Sequence, residues 1–97
     1  MLNLKEKINI EKLKEYGFTS FKVNRNQTNW YRIFAHSHQG MGNMILVNNI
    51  DREVRITKYE GVEDTRVHAY PHIRMRDKKM VEDVIVELAV NDVIESR

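Results

Sequence analysis

Apolar and polar positions alternate through the middle of the chain and recur at helical spacing towards its end. Trp30-Tyr31-Arg32-Ile33-Phe34-Ala35-His36, Met44-Ile45-Leu46-Val47 and Val54-Arg55-Ile56-Thr57-Lys58-Tyr59 each have strand length and are rich in aromatic or branched residues. Turn formers separate them: Asn24-Arg25-Asn26-Gln27-Thr28-Asn29, then Gln39-Gly40-Met41-Gly42-Asn43, then Asn48-Asn49-Ile50-Asp51. With a further strand around Phe21 and Val23, these short connections predict an antiparallel meander of about four strands.

Strand side chains alternate between faces, so one charged residue assigns the rest. Burying Arg32 requires a partner for its guanidinium, and the cheaper register leaves it outside. Tyr31, Ile33 and Ala35 then point inward, as do Val54 and Ile56 in the last strand and Phe21 and Val23 in the first. The outer face would carry Lys22, Trp30, Arg32, Phe34, His36, Arg55 and Tyr59. Met44-Ile45-Leu46-Val47 is apolar on both sides and reads as the central strand.

Two helices flank this sheet. Residues 5–18 suit a short helix, with Asn9 as N-cap, Ile8 and Leu13 as a hydrophobic staple and Gly17-Phe18 as a Schellman-type stop. Its stripe of Ile10, Leu13 and Tyr16 is narrow, so it must dock to persist. A longer helix, capped by Asp77, is expected to run to about Ile94: Val81, Val84, Ile85, Leu88 and Ala89 form one face and Glu82, Asp83 and Glu87 the other. Val86, Val90 and Val93 widen the apolar arc beyond one stripe, which implies a second contact such as a symmetry mate. Pro71 confines the segment before this helix to an edge strand or extended connector. The fold class is α+β, in one domain spanning residues 1–97, with both helices on one face of the sheet.

At 97 residues the chain can bury a single core. It has no cysteine, hence neither a disulfide frame nor a thiolate metal site. No apolar run approaches the roughly 18 residues of a membrane span, and the first residues lack a signal-peptide core. A cytoplasmic setting without membrane contact is expected. The net charge of +2 argues for no partner, but its distribution is uneven. No acid lies between Glu15 and Asp51, whereas Lys22, Arg25 and Arg32 do, and Arg74, Arg76, Lys78 and Lys79 precede an acidic last helix. The Lys-, Asn- and Glu-rich composition is similar in style to small bacterial or phage accessory proteins, with no family motif to accompany it.

Catalytic and metal-binding patterns are weak. His36 and His38 would share one side of a strand about 7 Å apart at a rise of roughly 3.4 Å per residue, and His68 and His72 form a second cluster. No carboxylate accompanies the first pair and nothing in the sequence joins the two clusters, so surface histidines are the simpler reading and a zinc- or iron-type ligand set the less favoured one. Ser20, Ser37, Thr57 and Thr65 lack a nucleophile-elbow pattern. The two glycines of Gln39-Gly40-Met41-Gly42-Asn43 lead into neither Lys-Ser/Thr nor a helix start. The sequence therefore reads as non-enzymatic, with no cofactor.

The outer face is the strongest functional signal. Trp30, Phe34 and Tyr59 could stack single-stranded bases while Lys22, Arg25, Arg32 and Arg55 neutralise phosphates, with Lys78 and Lys79 adding charge at a helix N-terminus. The same residue types mark protein hot spots. A register slipped by one residue would instead sink Trp30 and Phe34 into the core. The leading expectation is an interaction module for a protein partner or a second copy of itself, through Lys22, Arg25, Trp30, Arg32, Phe34, His36, Arg55, Tyr59, Lys78 and Lys79. The alternative is a DNA or RNA single-strand binder using the same face.

Overall fold

The structure, a computed structural model, describes residues 1–34, 42–59, 68–69 and 75–97. In chain order it comprises β1 (Leu2–Leu4), a 3-10 helix (Ile10–Tyr16), β2 (Thr19–Lys22), β3 (Thr28–Phe34), β4 (Gly42–Asn48), β5 (Val54–Tyr59), β6 (His68–Ala69), α1 (Met75–Val90) and β7 (Ile94–Ser96). The main sheet is antiparallel in the order β2-β3-β4-β5-β6, the meander that short turns favour. Together with α1 it makes an α+β fold, and β1 and β7 form a separate antiparallel pair.

The turns are built as their residue types suggest. Asn24 Oδ1 accepts from the amides of Asn26 and Gln27, and Asn48 Oδ1 accepts from those of Ile50 and Asp51. The first helix has the expected ends: Asn9 Oδ1 caps the Glu11 amide, and Gly17 at φ 83° closes it with Gly17 N–H to the Lys14 carbonyl and Phe18 N–H to the Leu13 carbonyl. Between those caps, however, the seven residues wind as a 3-10 helix, an ordinary outcome for so short a segment.

The last helix is shorter than its pattern suggests. It ends at Val90, where Asp92 adopts φ 59° and the amides of Asp92 and Val93 return to the carbonyls of Ala89 and Leu88. Val93 and Ile94 then enter the core, and Ile94–Ser96 pairs with Leu2–Leu4, so both ends of the chain meet in one ribbon. Asp77 lies inside the helix rather than capping it.

One side of the sheet holds the main core cluster, while Met44, Leu46 and Thr57 are buried on the other. Leu4, Leu13, Phe18, Trp30, Phe34, Ile45, Val47, Val54, Val81, Val84, Leu88, Val93 and Ile94 form a single buried cluster, with Ile56 and Ile85 packed against it. The registers Trp30↔Val47, Arg32↔Ile45, Ile45↔Ile56 and Val47↔Val54 place Trp30, Arg32 and Phe34 on this face. The β3 assignment from sequence is therefore reversed: Trp30 is 4% and Phe34 3% exposed, while Tyr31 and Ile33 point to the other side. Phe21 shares that other side with Tyr31, and Val23 is exposed rather than inward. Val54 and Ile56 face inward as expected.

The reversal turns on Arg32. Its Nη1 donates to the carbonyl of Tyr16, at the end of the 3-10 helix, at 2.7 Å. The guanidinium also lies 5.3 Å from the centre of the Phe34 ring, against Gly17. A helix-terminal carbonyl lacks an intrahelical donor, and Arg32 supplies one while its planar group stacks on an aromatic ring. That partner removes the penalty that made an outward Arg32 look cheaper.

Candidate functional site

Of the ten residues proposed from sequence, the eight with described side chains do not assemble into one surface. Trp30 and Phe34 are core, with the Lys14 ammonium 5.6 Å from the indole centre, and Arg32 is committed to Tyr16. Arg55 is held by Asp51 and by Glu53, the latter at 2.8 Å. This pairing raises the guanidinium pKa, and the Arg55 hydrogen bond holds the Asp51 carboxyl below the usual carboxylate range. Lys78 and Lys79 pair with Glu82 and Asp83 one turn along α1. Lys22 and Arg25 are exposed, as expected, beside the β2–β3 turn. His36 and the Tyr59 side chain lie outside the described residues, as do His38 and His72.

Elsewhere several charges are also paired. Arg52, at φ 59°, donates Nη2 to the carbonyls of Lys5 and Ile8 and ties the incoming chain to the β4–β5 turn. A shallow groove lined by Lys5, Glu6, Lys7, Glu95 and Arg97 has Lys5 paired with Asp92, and Arg97 with Glu95 and Glu6. No group of three His, Cys, Asp or Glu side chains among the described residues could hold a metal ion.

Two surfaces remain among the described residues. On α1 the valines Val86 and Val90 are 59% and 75% exposed, directly opposite the row of Val81, Val84 and Leu88. The wide apolar arc expected from sequence is therefore divided: Val93 leaves the helix and is buried, and Val86 and Val90 lie in solvent with Glu82, Asp83 and Glu87 around them. Two valines are a small patch, of a size common on monomer surfaces.

The second surface is the β2 edge of the main sheet. Among the described residues β2 is hydrogen-bonded to β3 alone. The Val23 N–H donates to the Gln27 carbonyl at 2.9 Å, which makes Val23 and Gln27 a hydrogen-bonded pair. By the alternation of an antiparallel ladder, Thr19 and Phe21 also turn their backbone groups towards β3, opposite Tyr31 and Asn29. Ser20 and Lys22 therefore direct their N–H and C=O groups away from the sheet. Thr19, Ser20, Lys22 and Val23 are all exposed. On the face away from the core, Phe21 meets Tyr31 edge-on with ring centres 5.5 Å apart.

Sequence reasoning reached this strand but missed its edge position, because that depends on pairing order and not on residue pattern. The legible signal was a short strand of Thr, Ser, Phe, Lys and Val directly after a helix stop. No family model, curated protein or solved structure matches the chain, so geometry alone carries the functional reading.

Proposed function

We propose that this chain is a non-enzymatic interaction module that binds protein by accepting an extended strand at the edge of β2. The observation that supports the reading is the pair of outward-directed backbone sites at Ser20 and Lys22 on an exposed edge. Strand addition draws affinity from main-chain hydrogen bonds and specificity from alternate side chains, here Thr19, Phe21 and Val23. The module is proposed to work in the cytoplasm, where a chain without cysteine needs no oxidative pairing.

Titrating a blocked heptapeptide of alternating Thr and Val into isotope-labelled protein tests strand acceptance. Amide resonances of Ser20 and Lys22 should shift, with smaller changes at Thr28 and Trp30 across the hairpin. Saturating peptide with no change at Ser20 and Lys22 would sink the reading. The single-stranded nucleic-acid alternative retains Lys22 and Arg25 but needs other stacking platforms, since the Trp30 ring is enclosed. An oligonucleotide titration at low salt should leave Trp30 fluorescence unchanged, and quenching that weakens with salt would restore that alternative.

A further inference from the structure

We infer that the strand accepted at this edge is β2 of a second copy, paired antiparallel with Phe21 facing the partner's Phe21. The inference rests on the strand-addition reading above and names its partner. The register follows from which groups are free. Antiparallel pairing sets outward-facing residues opposite one another, so Ser20 lies across from the partner's Lys22 and exchanges both N–H and C=O with it, and the two-fold axis repeats the pair.

Other registers fail on particular atoms. A slip of one residue would set outward groups against inward ones. Centring the pair on Lys22 would place two like charges directly opposite. Centring it on Ser20 would bring Lys22 against the partner's Phe18, whose amide is already given to Leu13. Only the Phe21-centred register uses every free backbone group of β2.

The side chains agree with it. Thr19, Phe21 and Val23 share one face, so Thr19 meets the partner's Val23, and each Phe21 stands between its own Tyr31 and the partner's Phe21. Val23, 47% exposed in the single chain, gains a β-branched neighbour. Lys22 lies beside a hydroxyl rather than its own copy. The remaining repulsion comes from Lys22 and Arg25 around the seam, with no acid between Glu15 and Asp51 to offset it. Association should therefore strengthen as salt rises, the opposite of a phosphate contact.

Because the chain has no cysteine, crosslinking reads the register directly. Thr19→Cys and Val23→Cys proteins are mixed at high concentration and oxidised by air. Residues 19 and 23 would face each other as a non-hydrogen-bonded pair with Cα atoms about 4.5 Å apart, inside disulfide range. Two copies of residue 19 would sit four positions apart in register, roughly 13 Å along the strands. The mixed disulfide should exceed both homotypic products several-fold. Ser20→Pro, which removes an outward N–H but no β2–β3 bond, should abolish that excess without lowering the melting temperature. Products in statistical proportion would overturn the inference. If they are statistical while the Thr-Val peptide still shifts Ser20 and Lys22, the edge accepts strands and the partner is not this chain; if neither occurs, both readings fall.

Discussion

Trp30→Ala is the sharpest test of which face of β3 is the core. The indole is 4% exposed and belongs to the cluster containing Leu13, Phe18, Phe34, Ile45 and Val47. Truncation removes its transfer free energy and leaves a cavity that the neighbouring strands cannot close, a loss of about 3–5 kcal/mol. Against a total stability of about 5–15 kcal/mol for a domain of this class, that is a large fraction. Tyr31→Ala is the control on the opposite face. Tyr31 is half-buried and its main specific contact is the edge-on Phe21 ring, so the expected loss is about 1–2 kcal/mol. Urea unfolding followed by far-ultraviolet circular dichroism measures both, since the first variant removes the only tryptophan. With a urea slope of about 1–2 kcal/mol per molar, Trp30→Ala should lower the midpoint by about 1.5 M or more. Equal losses, or a larger loss for Tyr31→Ala, would refute the assignment of faces.

Further variants probe the elements that hold this core. Gly17→Ala should cost about 1–2 kcal/mol in thermal or urea unfolding, because φ 83° is a left-handed conformation and the new Cβ would lie 3.4 Å from the Arg32 guanidinium. Asp51 titrates lower in the folded chain than in the unfolded one, so its stabilising effect is present above the unfolded pKa and is lost as pH falls through the lowered folded value. Asp51→Asn should flatten that acid-side loss in a pH series while changing stability at neutral pH by less than about 1 kcal/mol, since the pair is solvent-screened. Val86→Ala and Val90→Ala should each raise the melting temperature slightly, by up to about 0.7 kcal/mol of stability, because an exposed valine forfeits helix propensity without burial. A loss instead would show that these valines are covered in solution.

What could be read from the sequence was what local chemistry decides. The meander order, the Asn-rich turns, the Asn9 and Gly17 caps and the inward face of Val54 and Ile56 all depend on residues near each other in the chain. Three features depend on distant ones. The face of β3 is set by Arg32 reaching the carbonyl of Tyr16, sixteen positions away. The end of α1 is set by Asp92 in a left-handed conformation and by Ile94 being drawn into pairing with Leu4. The edge status of β2 is set by the sheet order as a whole. Of the proposed contact residues with described side chains, Lys22 and Arg25 alone are exposed without an ion pair, and they flank Val23 at the end of the strand that forms an edge of the described sheet.

Amide hydrogen exchange at Ser20 and Lys22, followed as protein concentration is raised, tests edge pairing most directly. In a dilute sample both amides should exchange as freely as those of an unpaired strand edge, while Thr19 and Phe21 stay protected by β3. At high concentration, and more so at high salt, Ser20 and Lys22 should slow together towards the protection of their neighbours. Rates at these two amides that do not change with concentration at either salt would contradict the account.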